Sequence, residues 1–197
     1  MTAAELTLPF LGQRTYLHGT TLFDVLRSRA PENGALSFKV SRRIESNRVR
    51  VEAGPETGGW RERPAASLSW KHGAQRGFLA VTPLAPADPI ERHPYDEALV
   101  TRAGSIAGQE VRLEGPSPFT FVATLVPLYK MLLKAAHPMS PPGQWMFTRL
   151  DLERHPDAFR GLSLALDPAL VPGSTLVRCS IVIGERAVGT LYYSWVV

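Results

Sequence analysis

Cysteine is nearly missing from this chain. The single Cys179 excludes an internal disulfide and any zinc site built on two or more thiolates. Lysine is scarce too: Lys39, Lys71, Lys130 and Lys134 are the only lysines among 22 basic residues, and the rest are arginines spread along the chain. No basic run is longer than Arg42-Arg43, so the net charge of +4 does not gather into the stripe that a nucleic-acid backbone selects. No apolar stretch approaches the ~20 residues of a membrane-spanning helix. Residues 1–10 carry neither a positive leading region nor a long apolar stretch, so they do not read as a secretory signal. The expectation is a cytoplasmic protein with no nucleic-acid and no membrane partner. A glycine-rich phosphate loop and a Gly-x-Ser-x-Gly elbow are both absent, and no His and Cys spacing suits a metal. No cofactor and no metal are therefore expected.

What is present describes an ordinary globule. The chain has 197 residues, 44% hydrophobic and 20% charged, and a chain of that length buries roughly 70% of its unfolded surface without staples. Residues 20–29 predict a short helix, with Thr20 or Thr21 as cap, Asp24 near its positive end, and Pro31 and Gly34 beyond it. The period then switches to two. Leu36, Phe38 and Val40 alternate with polar residues, and Val49 and Val51 do the same after Glu45-Ser46-Asn47, which reads as a hairpin. A glycine- and proline-rich loop over 54–64 leads to alternation around Leu68 and Trp70, a turn at His72 to Gln75, and an apolar return from Phe78 to Leu84.

Pro83, Pro86, Pro89 and Pro94 suit an extended connector. Beyond it the order repeats. Residues 119–136 predict a helix that is apolar nearly all round, hence one covered by sheet, with Ser117 or Pro118 at its start and a kink at Pro127. Strands follow over 145–152, 162–166, 176–183 and 187–197. Gly34-Ala35-Leu36-Ser37-Phe38 opens the first set of strands as Gly143-Gln144-Trp145-Met146-Phe147 opens the second, and each set ends on a hairpin tipped by glycine, Gly73 or Gly184. The fold class is α+β: two tandem units of a helix plus a four-stranded antiparallel sheet, over 1–86 and 111–197, joined by 87–110.

A helix wrapped by antiparallel sheet resembles the hotdog fold, and two such units resemble a double hotdog. The local motif is Val171-Pro172-Gly173-Ser174-Thr175-Leu176, similar to the Pro-Gly, polar, Leu lead-in to a long strand in the 3-hydroxyacyl-thioester dehydratases of that superfamily. The resemblance implies action on acyl thioesters, as dehydratase, hydratase or thioesterase, with an acyl-CoA or acyl-carrier-protein substrate and a homodimeric assembly. A catalytically silent protein that binds an acyl or aromatic ligand, or a partner protein, is the alternative. The dehydratases' His followed by a Phe-Pro-Gly loop is absent, and residues 119–136 contain no acidic residue.

The resemblance puts proton transfer near the start of a helix. Tyr16-Leu17-His18-Gly19 stands there, six residues before Asp24. His18 is the candidate base, Asp24 its partner or acid, and Gly19 the source of a carbonyl-polarising N–H; a turn histidine beside a helix-dipole carboxylate is the plain structural alternative. Tyr16, Trp145 and Arg43 are the further candidate substrate contacts. Trp145, with Trp195, Tyr192 and Tyr193, lines either an acyl tunnel or a core. Residues on both faces of the last strand are large, so burial on both faces is expected. Arg42, Arg43, Arg48 and Arg50 form either a docking patch for a phosphopantetheine arm or carrier protein, or a solvated hairpin paired to Glu45 and Glu52. His72 and His93 are expected at the surface, and His137 and His155 at element ends or the surface. Cys179 is expected as an inert buried thiol.

Overall fold

The computed structural model describes residues 3–56, 60, 62–139, 142–171 and 173–197. Pro172 of the Val171–Leu176 motif and Gly58 and Gly59 of the 54–64 loop lie outside them. The chain divides into two compact units, the first ending at Tyr95 and the second beginning at Asp96.

In the first unit β1 (Ala4–Thr7) and β2 (Phe10–Leu11) precede α1 (Gly19–Arg27). Then come β3 (Ala35–Val40), β4 (Arg48–Ala53), β5 (Ala66–His72), β6 (Gln75–Pro83) and β7 (Arg92–His93). Leu22, Phe23 and Leu26 of α1 face inward at helical spacing. Phe23 meets Phe38 of β3 edge to face at 5.6 Å, which seats the helix on the sheet. Strand order is β1-β4-β6-β5-β3, all antiparallel.

That order corrects one expectation. β3 and β4 do not form a hairpin: β3 pairs with β5, and β4 pairs with β1 and β6. Residues 41–47 are therefore a crossover, and its buried side chains fasten it. Ile44 is 1% exposed, and Asn47 is fully buried. The Asn47 amide donates to the Ala87 carbonyl and accepts from the Ala87 N–H, both at 2.9 Å, as a strand neighbour would. Residues 87–95, expected in the connector, belong to the first unit. There β7 runs parallel to β2, and the Arg92 guanidinium donates to the Gly12 and Arg14 carbonyls.

The second unit opens with α2 (Ala98–Thr101), β8 (Gly104–Ala107) and β9 (Glu110–Leu113), where the connector was expected to continue. α3 (Phe121–Ala136) follows, then β10 (Gln144–Leu152), β11 (Leu162–Leu166), β12 (Leu176–Ile183) and β13 (Arg186–Val196). Strand order is β10-β13-β12-β11-β9-β8. The last hairpin is placed differently in the two units: β13 lies beside β10, whereas in the first unit β5, not β6, lies beside β3.

Nine consecutive residues of α3, Phe121 to Tyr129, are buried, which requires cover on every side of those turns. Tyr129 and Tyr193 of β13 meet at right angles, 4.9 Å apart. Tyr193 also donates through its hydroxyl to the Val126 carbonyl at 3.2 Å. Hydroxyls gather just ahead of the helix: Ser117 Oγ accepts from the Phe119 N–H and stands 2.6 Å from Thr124 Oγ1. Each unit thus lays a helix on an antiparallel sheet, as the hotdog resemblance implies. The last strand is fully buried on one face and partly on the other. Leu191 and Tyr193 are fully buried, while Tyr192 is half-buried beneath the Arg149 guanidinium.

Candidate functional site

α1 starts two residues earlier than a Thr20 cap would place it, and three earlier than a Thr21 cap. His18 itself occupies the capping position, with extended backbone at φ −74° and ψ 142°. The residue is 5% exposed, and Nδ1 stands 2.8 Å from Thr20 Oγ1. The crossover sets this placement: the Leu17 N–H donates to the Ile44 carbonyl at 2.8 Å, holding the segment just ahead of the helix. Tyr16 and Tyr95 flank the imidazole, with ring centroids 6.4 and 5.8 Å away. A guanidinium lies over each tyrosine, Arg43 over Tyr16 at 4.3 Å and Arg14 over Tyr95 at 5.1 Å. Arg43 also donates to Thr15 Oγ1.

The structure therefore gathers Tyr16, His18, Gly19 and Arg43, and adds Tyr95 and Arg14, which sequence reasoning missed. Tyr95 follows a proline in a polar stretch, with nothing local to link it to residue 18. Asp24 is not in the first turn of α1, which holds no acidic residue. Helix geometry puts its Cα about 9 Å along the axis and about 120° round from that of His18. Trp145 belongs to the second unit. There it packs against Trp195 at 5.3 Å and against the His137 ring at 5.7 Å. His137, expected as a cap or at the surface, is the C-cap of α3 and is buried, with Nε2 3.1 Å from the Ser174 carbonyl.

The arginine cluster is dispersed by pairing. Arg48 and Arg50 of β4 both bond Glu5 of β1 across the strand pair, at 2.5 and 2.9 Å, rather than Glu45 or Glu52. Those bonds, Arg50's first, hold the Glu5 carboxyl below its ordinary range. Arg42 pairs with Glu62 at 3.6 Å and Arg43 with Glu45 at 3.7 Å, as expected for Glu45, and only Arg43 also joins the histidine cluster. Among the described residues no group of three or more His, Cys, Asp or Glu is placed to hold a metal. Cys179 is fully buried, and desolvation pushes its thiol well above the ordinary range. No helix among those described is long and apolar enough to cross a membrane.

No family model and no curated protein matches the chain. Solved structures do. A proposed thioesterase II from Thermobifida fusca YX aligns over 98% of this chain and 90% of its own, at 15% identity and TM-score 0.46. The dehydratase-cyclase domain of ambruticin biosynthesis aligns over 99% and 91%, at 13% identity and TM-score 0.48. The dehydratase domain of RzxB from Pseudomonas fluorescens aligns over 98% and 93%, at 10% identity and TM-score 0.43. Likeness at these values assigns neither a family nor an activity.

Proposed function

We propose that the protein is a double hotdog that processes acyl thioesters, as dehydratase, hydratase or thioesterase, on an acyl-CoA or acyl-carrier-protein substrate and as a homodimer. One observation carries the reading: a buried histidine, anchored through Nδ1, sits at the start of a helix. The first amides of a helix have no partner within it, so they can donate to a thioester carbonyl while the ring moves a proton. In this reading Nε2 takes the proton, and Gly19 supplies an N–H to the carbonyl. Asp24 acts as the imidazole's partner or as the acid. Thioesterase and dehydratase are also what the matched structures are described as. His18→Ala is assayed against short- and long-chain acyl-thioesters. Loss of turnover by a factor of about 10² or more is expected for a general base; full activity removes the assignment.

A second reading is favoured by α3. It carries no acidic residue, and Phe121 at its start is packed against the His155 and Phe159 rings, 5.7 and 5.5 Å away. A silent binding protein fits those facts. Absence of turnover on every thioester tried, together with a co-purified ligand seen by mass spectrometry, selects it.

A further inference from the structure

The second unit holds a cleft of about 440 Å³ beside the last turns of α3, lined among others by Glu97, Lys130, Lys134, Gly143, Trp145 and Trp195. One wall is aromatic. Trp145, nearly buried, and Trp195, partly exposed, meet at 69°. Gly143 makes room for it: a Cβ there would fall 2.5 Å from Trp195 Nε1 and Cε2, so the indole rests on backbone that any side chain would block. Among the described residues neither indole N–H forms a hydrogen bond. The other wall is cationic. Lys130 is tied to Glu97 at 3.2 Å, with both side chains partly covered. Lys134 is exposed and has no acidic partner among the described residues, so this wall carries one uncompensated positive charge.

These walls ask for a ligand with a flat apolar body and one anionic end. A ring packs on indole, a carboxylate pairs with lysine, and the volume suits a small molecule. We propose that this cleft binds a planar aromatic carboxylate, its ring against the tryptophan pair and its carboxylate toward Lys134. A fatty acyl chain would offer no ring to the tryptophan pair. The proposal uses no residue of the histidine cluster and holds whether or not thioesters are turned over.

Isothermal titration of the full chain with sodium 2-naphthoate tests it, with 2-naphthamide lacking the charge and octanoate lacking the ring. Saturable one-site binding of naphthoate is expected, with both controls at least about tenfold weaker. Lys134→Gln, an exposed change, is expected to weaken naphthoate about three- to fivefold and leave naphthamide unchanged. Gly143→Val is expected to abolish binding. Octanoate binding as tightly as naphthoate, no saturable heat into the millimolar range, or an unchanged naphthoate affinity in Lys134→Gln overturns the proposal. His18→Ala leaves naphthoate binding intact if the cleft is the site, so failure here and failure of the thioester reading are told apart.

Discussion

The His18 imidazole and the Thr20 hydroxyl are joined at 2.8 Å inside the start of α1, with both residues buried. A threonine that reads as a cap instead holds the ring of the residue before the helix. Thr20→Val keeps the shape and removes that bond. Stability is expected to fall by about 1 kcal/mol, read by urea denaturation. If His18 moves a proton, turnover drops as well, because the ring is no longer fixed in place. Unchanged stability and turnover together would show that the bond positions nothing.

Two glycines separate a cheap clash from a costly one. A Cβ on Gly77 would meet the far edge of the Trp70 ring at 1.9 Å, and that ring can swing aside. A Cβ on Gly189 would meet the Asp151 carbonyl oxygen at 2.2 Å, which is backbone held in the β10–β13 pairing. Gly189→Ala is expected to cost about 1–3 kcal/mol and Gly77→Ala clearly less. Paired thermal melts check the order.

Tyr129 and Tyr193 carry hydroxyls of opposite standing. That of Tyr193 donates to the Val126 carbonyl, whereas that of Tyr129 is buried with only the weakly bonding Cys179 thiol beside it. Tyr193→Phe is expected to lose about 1 kcal/mol, and Tyr129→Phe to be neutral or stabilising, since it removes a desolvated polar group. Chemical denaturation of both variants measures it.

Alkaline stability follows from the same helix. Burial raises the Cys179 thiol from its ordinary 9.0, and burial together with the nearby thiol raises the Tyr129 hydroxyl from 10.0. The folded state therefore keeps protons that the unfolded chain releases. Stability is complete below pH 9 and falls as pH climbs through 9 and 10. The Cys179→Ala, Tyr129→Phe double variant is expected to flatten that limb in a pH series of denaturation midpoints.

Glu5 gives the acid side. Its carboxyl is held low by Arg50 and Arg48, so its contribution is present above the unfolded carboxylate range and is lost as pH falls through the lowered value. Glu5→Gln is expected to reduce the acid sensitivity of unfolding, and high salt to mimic it, because all three side chains are over 40% exposed. An acid limb unaffected by both would place the sensitivity elsewhere.

Local chemistry in the chain was enough to settle α1, α3 and the longer strands, but not the short β1, β2, β7, α2 and β8. Helical spacing of Leu22, Phe23 and Leu26, the all-round apolarity from Phe121 to Tyr129, and the alternation through Leu36, Phe38 and Val40 each follow from how one segment buries its own side chains. Partners were another matter. Alternation says which face of a strand is buried but not which strand lies beside it, so β3 and β4 read as a hairpin although β5 and β6 stand between them. The same crossover carries Ile44 to Leu17 and Arg43 to Tyr16, and the path of the chain brings Tyr95 to His18 and Ser174 to His137. Those contacts span tens of residues, and each is fixed by the cost of leaving a backbone group or a ring without cover. The periodicity of a segment records what it must hide, and only the folded chain decides what hides it.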